Sequence, residues 1–158
     1  MPQFAIHINW SASGDVRRYV AKTMGSLQGD IENAGPRIGL RLAKANVEAD
    51  AVGPTISCLV DTAAAETAIK ASALTTATIP AIPGTEKQIK TPAGPIASQA
   101  YDISIWTADP NDPVCLIPSL RVNSVPAQKC TALLGQDFLC HCVLIHDGPK
   151  QSFHLQFS

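Results

Sequence analysis

The stretch of sequence that decides the fold is TISCLVDTAAAETAI, residues 55–69. Its first half alternates apolar with other residues, which is the period of a half-buried strand, and the apolar positions are Ile56, Cys58 and Val60. The strand pattern stops abruptly at Asp61 and Thr62, which are followed by small residues. This places a carboxylate at a strand end, where backbone amides of the next turn can point at it. Such a position suits an acid or a base.

A second stretch, KCTALLGQDFL at residues 129–139, repeats this layout. It again predicts an apolar strand, then Gly135 where the chain turns, then a short helical turn. Acidic side chains are favoured in the first turn of a helix. We therefore interpret Asp137 as a helix-start residue rather than as a second catalytic acid.

Most of the remaining chain also has the alternation of strands, and this predicts an all-β fold. The apolar faces are Ile38, Leu40 and Leu42; Tyr101, Ile103 and Ile105; and Phe153, Leu155 and Phe157. Residues 109–113 form a strong turn signal between two strands, and Asp147-Gly148 predicts a hairpin turn. Residues 75–84, rich in Thr, Ala and Pro, are predicted to be a loop or an irregular edge.

The first 34 residues are predicted to form an extension with a strand and a helix. Gln3 to Trp10 alternates as a strand does. Ser13 can cap a helix whose apolar face comprises Val16, Tyr19, Val20 and Leu27. Asn33, Gly35 and Pro36 then break the pattern. The predicted division is an extension at 1–34 and a main domain at 35–158.

Composition excludes several classes of function. The net charge of -1 provides no basic field for a phosphate backbone, so no nucleic-acid or membrane-surface partner is expected. The first ten residues do not resemble a secretory leader, and no apolar run approaches the roughly 18 residues of a membrane span, which predicts a cytoplasmic protein. The five cysteines are odd in number and lack C-x-x-C pairs, which favours reduced thiols.

One cluster near the C-terminus raises the possibility of zinc: Cys140, His141, Cys142 and His146. It lacks the two separated ligand pairs of common structural sites. On a strand, Cys142 and His146 also share a face that His141 opposes. We favour packed side chains over a metal site and expect no metal or cofactor, with a metal-binding β domain kept as an alternative.

Three motifs in this order resemble the retropepsin family of aspartic proteases, and in particular its bacterial members. The segment from Leu59 to Thr62, with Ala64 and Thr67, is similar to the family's catalytic loop. Leu133-Leu134-Gly135 and the residues after it resemble the hydrophobic-hydrophobic-Gly motif and its helix. Between them, KTPAGPIA at residues 90–97 is similar to the flap, a hairpin that closes over substrate, with Gly94 near its tip. The resemblance covers residues 35–158.

The resemblance implies a closed β structure and an aspartic endopeptidase that acts as a homodimer on an extended polypeptide. Two carboxylates share one proton in this chemistry, and a chain with one such loop must obtain the second from another copy. Asp61 would be the catalytic carboxylate, and Thr62 would lock the two loops together. The implied substrate-binding residues are Ala65 and Glu66 in the loop and Ala93, Gly94, Pro95 and Ile96 in the flap.

One position departs from the family pattern. The third residue of the catalytic triplet is usually Gly, and here it is Ala63. Gly often marks a backbone conformation or a close approach that a side chain would disturb. The alternative function is therefore a catalytically silent dimer of the same fold that binds peptide or serves as an interaction module.

Overall fold

The computed structural model describes residues 4–10, 16–20, 28–29, 36–91, 94–126, 130–147 and 152–157. The strands in these ranges are Phe4–Trp10 (β1), Val16–Val20 (β2), Gln28–Gly29 (β3), Arg37–Lys44 (β4), Thr55–Val60 (β5), Ala68–Lys70 (β6), Lys87–Thr91 (β7), Gly94–Ser98 (β8), Ala100–Thr107 (β9), Cys115–Val125 (β10), Ala132–Leu134 (β11), Cys142–Asp147 (β12) and Ser152–Phe157 (β13). The α-helices are Ala71–Thr76 (α1) and Gln136–Leu139 (α2), and Ala49–Ala51 is a 3-10 turn. The predicted all-β fold is confirmed.

Six strands close into a barrel in the order β10-β6-β11-β5-β4-β9. The alternating apolar residues predicted for β4, β5 and β9 point into it, and its fully buried side chains include Ile38, Leu40, Leu42, Ile103 and Ile105. Strands β5 and β11 lie side by side and parallel, with Leu134 opposite Val60. Parallel neighbours end at the same edge of a sheet, so the residues that follow these two strands meet there.

The second sheet joins the two ends of the chain in the order β12-β13-β1-β2-β3. Strand β1 pairs antiparallel with β13, from Phe4 opposite Phe157 to Asn9 opposite Ser152. The helix predicted from Ser13 is wrong at Val16–Val20, which form β2 and pair with β1. The predicted extension therefore shares a sheet with the last two strands of the predicted domain, and the division at residue 34 remains a proposal.

Strands β7 and β8 form a separate two-stranded hairpin in which Thr91 lies opposite Gly94. The hairpin begins three residues before the segment that the sequence indicated, and β8 also contacts β10. A hairpin between the two loop motifs was predicted, and the structure confirms it as secondary structure.

The prediction that residues 75–84 are a loop or an irregular edge is wrong at Thr75 and Thr76, which belong to the last turn of helix α1. It follows β6 directly and buries Ala73 and Leu74. The turn predicted at residues 109–113 does lie between β9 and β10. Neither α-helix in the described ranges has the length or apolar character that crossing a bilayer requires.

Candidate active site

Asp61 lies directly after β5, where the chain leaves the barrel wall. Its amide donates a hydrogen bond of 3.0 Å to the carbonyl of Leu134, the last residue of β11. The amide of Ala63 donates to Asp61 Oδ1 at 2.9 Å, and the amide of Ala64 donates to the Asp61 carbonyl at 3.3 Å. The expectation that an amide of the following turn points at this carboxylate is met.

The loop after Asp61 is held by the first residues of α2. The Gln136 amide donates to the Ala64 carbonyl at 2.9 Å, and the Asp137 amide donates to the Ala65 carbonyl at 3.3 Å. The Gln136 side chain adds a bond of 2.6 Å from Nε2 to the carbonyl of Thr62. The first amides of a helix have no acceptor within the helix, and at the start of α2 these amides bind the loop carbonyls and hold the loop in place.

Thr67 and Asp137 form the buried centre of this contact. Thr67 donates to Asp137 through its amide (2.9 Å, to Oδ2) and through its hydroxyl (2.6 Å, to Oδ1). The same hydroxyl accepts a bond of 3.1 Å from the amide of Gly135, and Asp137 Oδ1 accepts another from the amide of Phe138. Asp137 is in the first turn of α2, as predicted, and its carboxylate joins the two motifs through Thr67.

Gly135 is required by this close approach. A Cβ built at this position would lie 2.6 Å from the carbonyl carbon of Glu66 and 2.9 Å from the carbonyl oxygen of Ala64. Both are backbone atoms, which cannot move aside as a side chain can. The glycine of the second motif therefore permits the two loops to pass each other in backbone contact.

Ala63 has a conformation that any L-residue can adopt. In the described part of the chain, the non-glycine residues with positive φ are Asn46 and Thr78. The backbone at Ala63 therefore gives no reason for glycine there. Ala63 and Thr62 are both exposed, so the methyl group beside the carboxylate faces away from the chain's own core.

Asp61 borders a recess of about 380 Å³. The walls are formed by Pro36, Val60, Thr62, Leu144 and Phe153. The carboxylate is half-buried among them. The recess thus connects the end of β5 with the C-terminal strands β12 and β13.

Glu66, a predicted substrate-binding residue, lines a different recess of about 470 Å³. Its Oε2 accepts a hydrogen bond of 2.7 Å from Nδ2 of Asn123. Lys87, the first residue of the hairpin, lines the same recess. Ala65 is exposed in the loop beside Glu66. The loop and the base of the hairpin therefore share one cavity.

The other predicted substrate-binding residues belong to the hairpin. Gly94 has a φ of +112°, a conformation that L side chains rarely adopt. Pro95 is exposed and Ile96 is half-buried. Ala93 lies outside the described residues.

The five cysteines are free thiols, and four of them are buried or half-buried: Cys58, Cys115, Cys130 and Cys142. Burial raises the pKa of the Cys58 thiol far above its ordinary value, and it raises the pKa of Cys142 to about 11. Both groups are therefore neutral near pH 7, which disfavours them as nucleophiles. Within the described ranges, no three His, Cys, Asp or Glu side chains are grouped as a metal site would need.

Sequence reasoning missed the part that Gln136 plays and the bond between Thr67 and Asp137. These contacts join residues about seventy positions apart, and no local pattern reports them. The one sequence signal for these contacts was the repeated layout of an apolar strand followed by a turn. If the two strands lie side by side and parallel, the turns that follow them meet at the same edge of the sheet.

Comparisons with known proteins agree with the fold. A crystal structure of a retropepsin-like aspartic protease from Rickettsia conorii matches with a TM-score of 0.56. The match covers 99% of this chain and 93% of that chain, at 13% sequence identity. No protein-family model and no curated protein matches the sequence. The chain thus has a retropepsin-like fold.

Proposed function

We propose that this protein is an aspartic endopeptidase whose active site forms when two copies of the chain bring their Asp61 carboxylates together. The observation that carries the proposal is the loop that holds Asp61 at the open end of β5, with the Ala63 amide on its Oδ1. The likeness to the Rickettsia conorii protease supports it at the level of the fold. One chain supplies one such carboxylate, so the site needs its partner.

The chemistry follows from two carboxylates that share a proton at close range. The ionised carboxylate takes a proton from a water molecule as the water oxygen attacks the peptide carbonyl carbon. The protonated carboxyl donates its hydrogen bond to the carbonyl oxygen. The tetrahedral intermediate then breaks its C–N bond, and a proton from the dyad goes to the leaving amine.

The β7–β8 hairpin is proposed as the flap that covers an extended polypeptide. Glu66 and Lys87 support this arrangement because they line one cavity between the catalytic loop and the base of the hairpin. Pro95, Ile96 and Gly94 would contact the substrate from the flap, and Ala65 and Glu66 from the loop. Thr62, exposed beside Asp61, would contact the partner's loop.

The test is cleavage of an unfolded protein by the wild type and by Asp61→Asn. The substitution keeps the shape of the side chain and removes the base, so we expect cleavage to be lost and the fold to stay intact. A statine-type transition-state mimic should inhibit the wild type. Turnover by Asp61→Asn at the wild-type rate would show that the reaction occurs elsewhere.

The alternative is a silent dimer that binds peptide, and Ala63 is the observation that favours it. Such a protein would bind an extended peptide with equal affinity in the wild type and in Asp61→Asn, and neither would cleave it. Fluorescence anisotropy with a labelled peptide separates binding from hydrolysis. The ordinary backbone conformation of Ala63 weighs toward the catalytic proposal.

A further inference from the structure

A cavity of about 630 Å³ lies at the base of the β7–β8 hairpin. None of residues 61–67 lines it, so it is distinct from the recess beside Asp61. The hairpin forms one side, and the first residue of α1 together with β9 and β10 forms the other. Small-molecule sites in proteins have volumes of about 300–1,000 Å³, and this cavity lies within that range. Its size therefore suits a small ligand.

Ser98 provides a buried hydroxyl group in the lining of this cavity. The residue keeps 3% of its surface exposed, and its Oγ has no hydrogen-bond partner among the described residues. A buried hydroxyl that lacks a partner destabilises the fold, and nearly all such groups in proteins are paired with protein or with ordered water. Ser98 Oγ is thus available to a molecule that enters the cavity.

The neighbouring polar groups of the lining already have partners. Gln99 donates from its backbone amide to Ser124 Oγ at 3.0 Å and from Nε2 to Glu86 Oε1 at 2.9 Å. Glu86 and Lys87 are exposed, so water solvates their charges. In the described part of the lining, Ser98 Oγ is therefore the one buried side-chain polar atom that a ligand can satisfy.

The chemistry of the walls indicates an uncharged ligand. Ala71, Ala97 and Pro126 are apolar parts of the lining. The exposed Glu86 and Lys87 carry opposite charges, which offset each other. An ionised group placed against the apolar walls would lose its water without gaining an ion pair, and this is costly. A carboxamide loses less, because its oxygen can accept a hydrogen bond from the buried hydroxyl.

We propose that this cavity binds a small uncharged molecule with an apolar body and a carboxamide group, whose oxygen accepts a hydrogen bond from Ser98 Oγ. Such a molecule would contact the hairpin on one side and the barrel on the other. Its binding would therefore add contacts that hold the hairpin against the barrel. The site does not depend on Asp61 or on the proposed endopeptidase activity.

The first test is an NMR titration of the isotope-labelled full-length protein with cyclohexanecarboxamide. We expect saturable shifts of the Ser98, Gln99 and Ser124 amide signals, with a Kd of about 1–10 mM for a ligand of this size. Cyclohexanecarboxylate has the same apolar body and a negative charge, and it should bind at least about tenfold more weakly. Equal affinity for the two compounds would overturn the uncharged class. An absence of saturable shifts at these three amides would overturn the site.

Ser98→Ala tests the hydroxyl group directly. The Kd for cyclohexanecarboxamide should rise about tenfold, since one hydrogen bond is lost. Without ligand the midpoint of thermal unfolding should not fall, because the variant removes a buried polar atom that has no partner. Ser119→Ala, at an exposed position of β10, is the matched control and should leave the Kd unchanged. An unchanged Kd in Ser98→Ala, or a lower midpoint, would contradict the assigned role of Ser98.

The second test examines the effect on the hairpin. At saturating cyclohexanecarboxamide, amide hydrogen exchange in Gly94–Ser98 should slow, whereas exchange in β4 should stay the same. Ala97→Trp places a large side chain at an exposed position of the lining and should block binding, whereas Ala97→Ser should bind as the wild type does. Binding by Ala97→Trp with wild-type affinity would place the ligand elsewhere. Full binding with unchanged exchange would refute the effect on the hairpin.

Discussion

Thr67 is completely buried, and its amide takes part in one hydrogen bond and its hydroxyl in two. Thr67→Val would keep the volume of the side chain and remove the hydroxyl. The buried Gly135 amide would then lose its acceptor, and Asp137 would lose one donor. We expect the free energy of unfolding to fall by about 2–3 kcal/mol, since a buried polar group left without a partner costs about 1–3 kcal/mol.

Chemical denaturation measures this change, and Thr67→Ser is the control. The serine keeps the hydroxyl and loses one methyl group, so we expect a loss of about 1 kcal/mol. Equal losses for the two variants would mean that packing, rather than hydrogen bonding, fixes this position.

Ala63→Gly should raise the turnover number and slightly lower the stability. The methyl group is exposed next to Asp61, where the attacking water and the partner's carboxylate are expected. A displacement of about 1 Å costs about a hundredfold in rate, so relief of a smaller displacement gives a gain of up to about tenfold. Because the backbone at Ala63 is unstrained, glycine adds unfolded-state entropy and costs up to about 1 kcal/mol.

Turnover on one peptide at matched dimer concentration, together with thermal unfolding, tests the Ala63 prediction. Ala51→Gly removes the same methyl group from an exposed turn and should change stability without changing turnover. A turnover number for Ala63→Gly at or below that of the wild type would show that the loop accommodates alanine.

At this scale the sequence predicted the position of Asp61 and the helix-start position of Asp137. Both follow from local patterns, one a strand end and the other a first helical turn. The bonds from Asp137 to Thr67 and from Gln136 to Thr62 could not be predicted in the same way. They depend on which strands become neighbours, and that is set by the whole barrel.

Among the elements, the strands with a clean alternation were predicted well and the short helices poorly. Strands β4, β9 and β13 bury the residues that the pattern placed inside, and β5 buries Cys58 and Val60 and partly buries Ile56. Helix α1 has no side-chain cap at Lys70, so nothing in the sequence announces its start. At Val16–Val20, Val and Tyr suit a strand, and pairing with β1 outweighs the helical spacing of the apolar residues.

The β7–β8 hairpin should become protected when an extended ligand binds. If it is a flap, a statine-type peptide inhibitor will add contacts and lower the rate of opening, so amide hydrogen exchange in Lys87–Thr91 and Gly94–Ser98 should slow. The amides of β4, deep in the barrel, serve as the internal control. A saturating inhibitor that leaves the hairpin amides unchanged would remove the flap assignment.

For the whole molecule, the proposed sharing of one active site by two copies of the chain predicts interference between active and inactive copies. Adding an equal amount of Asp61→Asn to the wild type, with time for subunits to exchange, should lower the activity to about half, because mixed dimers hold one working carboxylate and pure wild-type dimers become a minority. The control is the same mixture assayed at once after mixing, before the subunits exchange. Activity that is unaffected by added Asp61→Asn would mean that each chain works alone.

The pairing of β1 with β13 has a consequence for how the chain is made. Residues 4–9 find their partners at residues 152–157, almost the full length of the chain away. The loop that holds Asp61 likewise needs hydrogen bonds from Gln136 and Asp137, which are synthesised about seventy residues later. A fold that depends on such distant contacts forms slowly, because the long intervening segments must be ordered before these contacts can form. On the ribosome the second sheet therefore stays incomplete until residue 157 has emerged, so the proposed active site, whose recess is lined by Phe153, cannot be complete before that point.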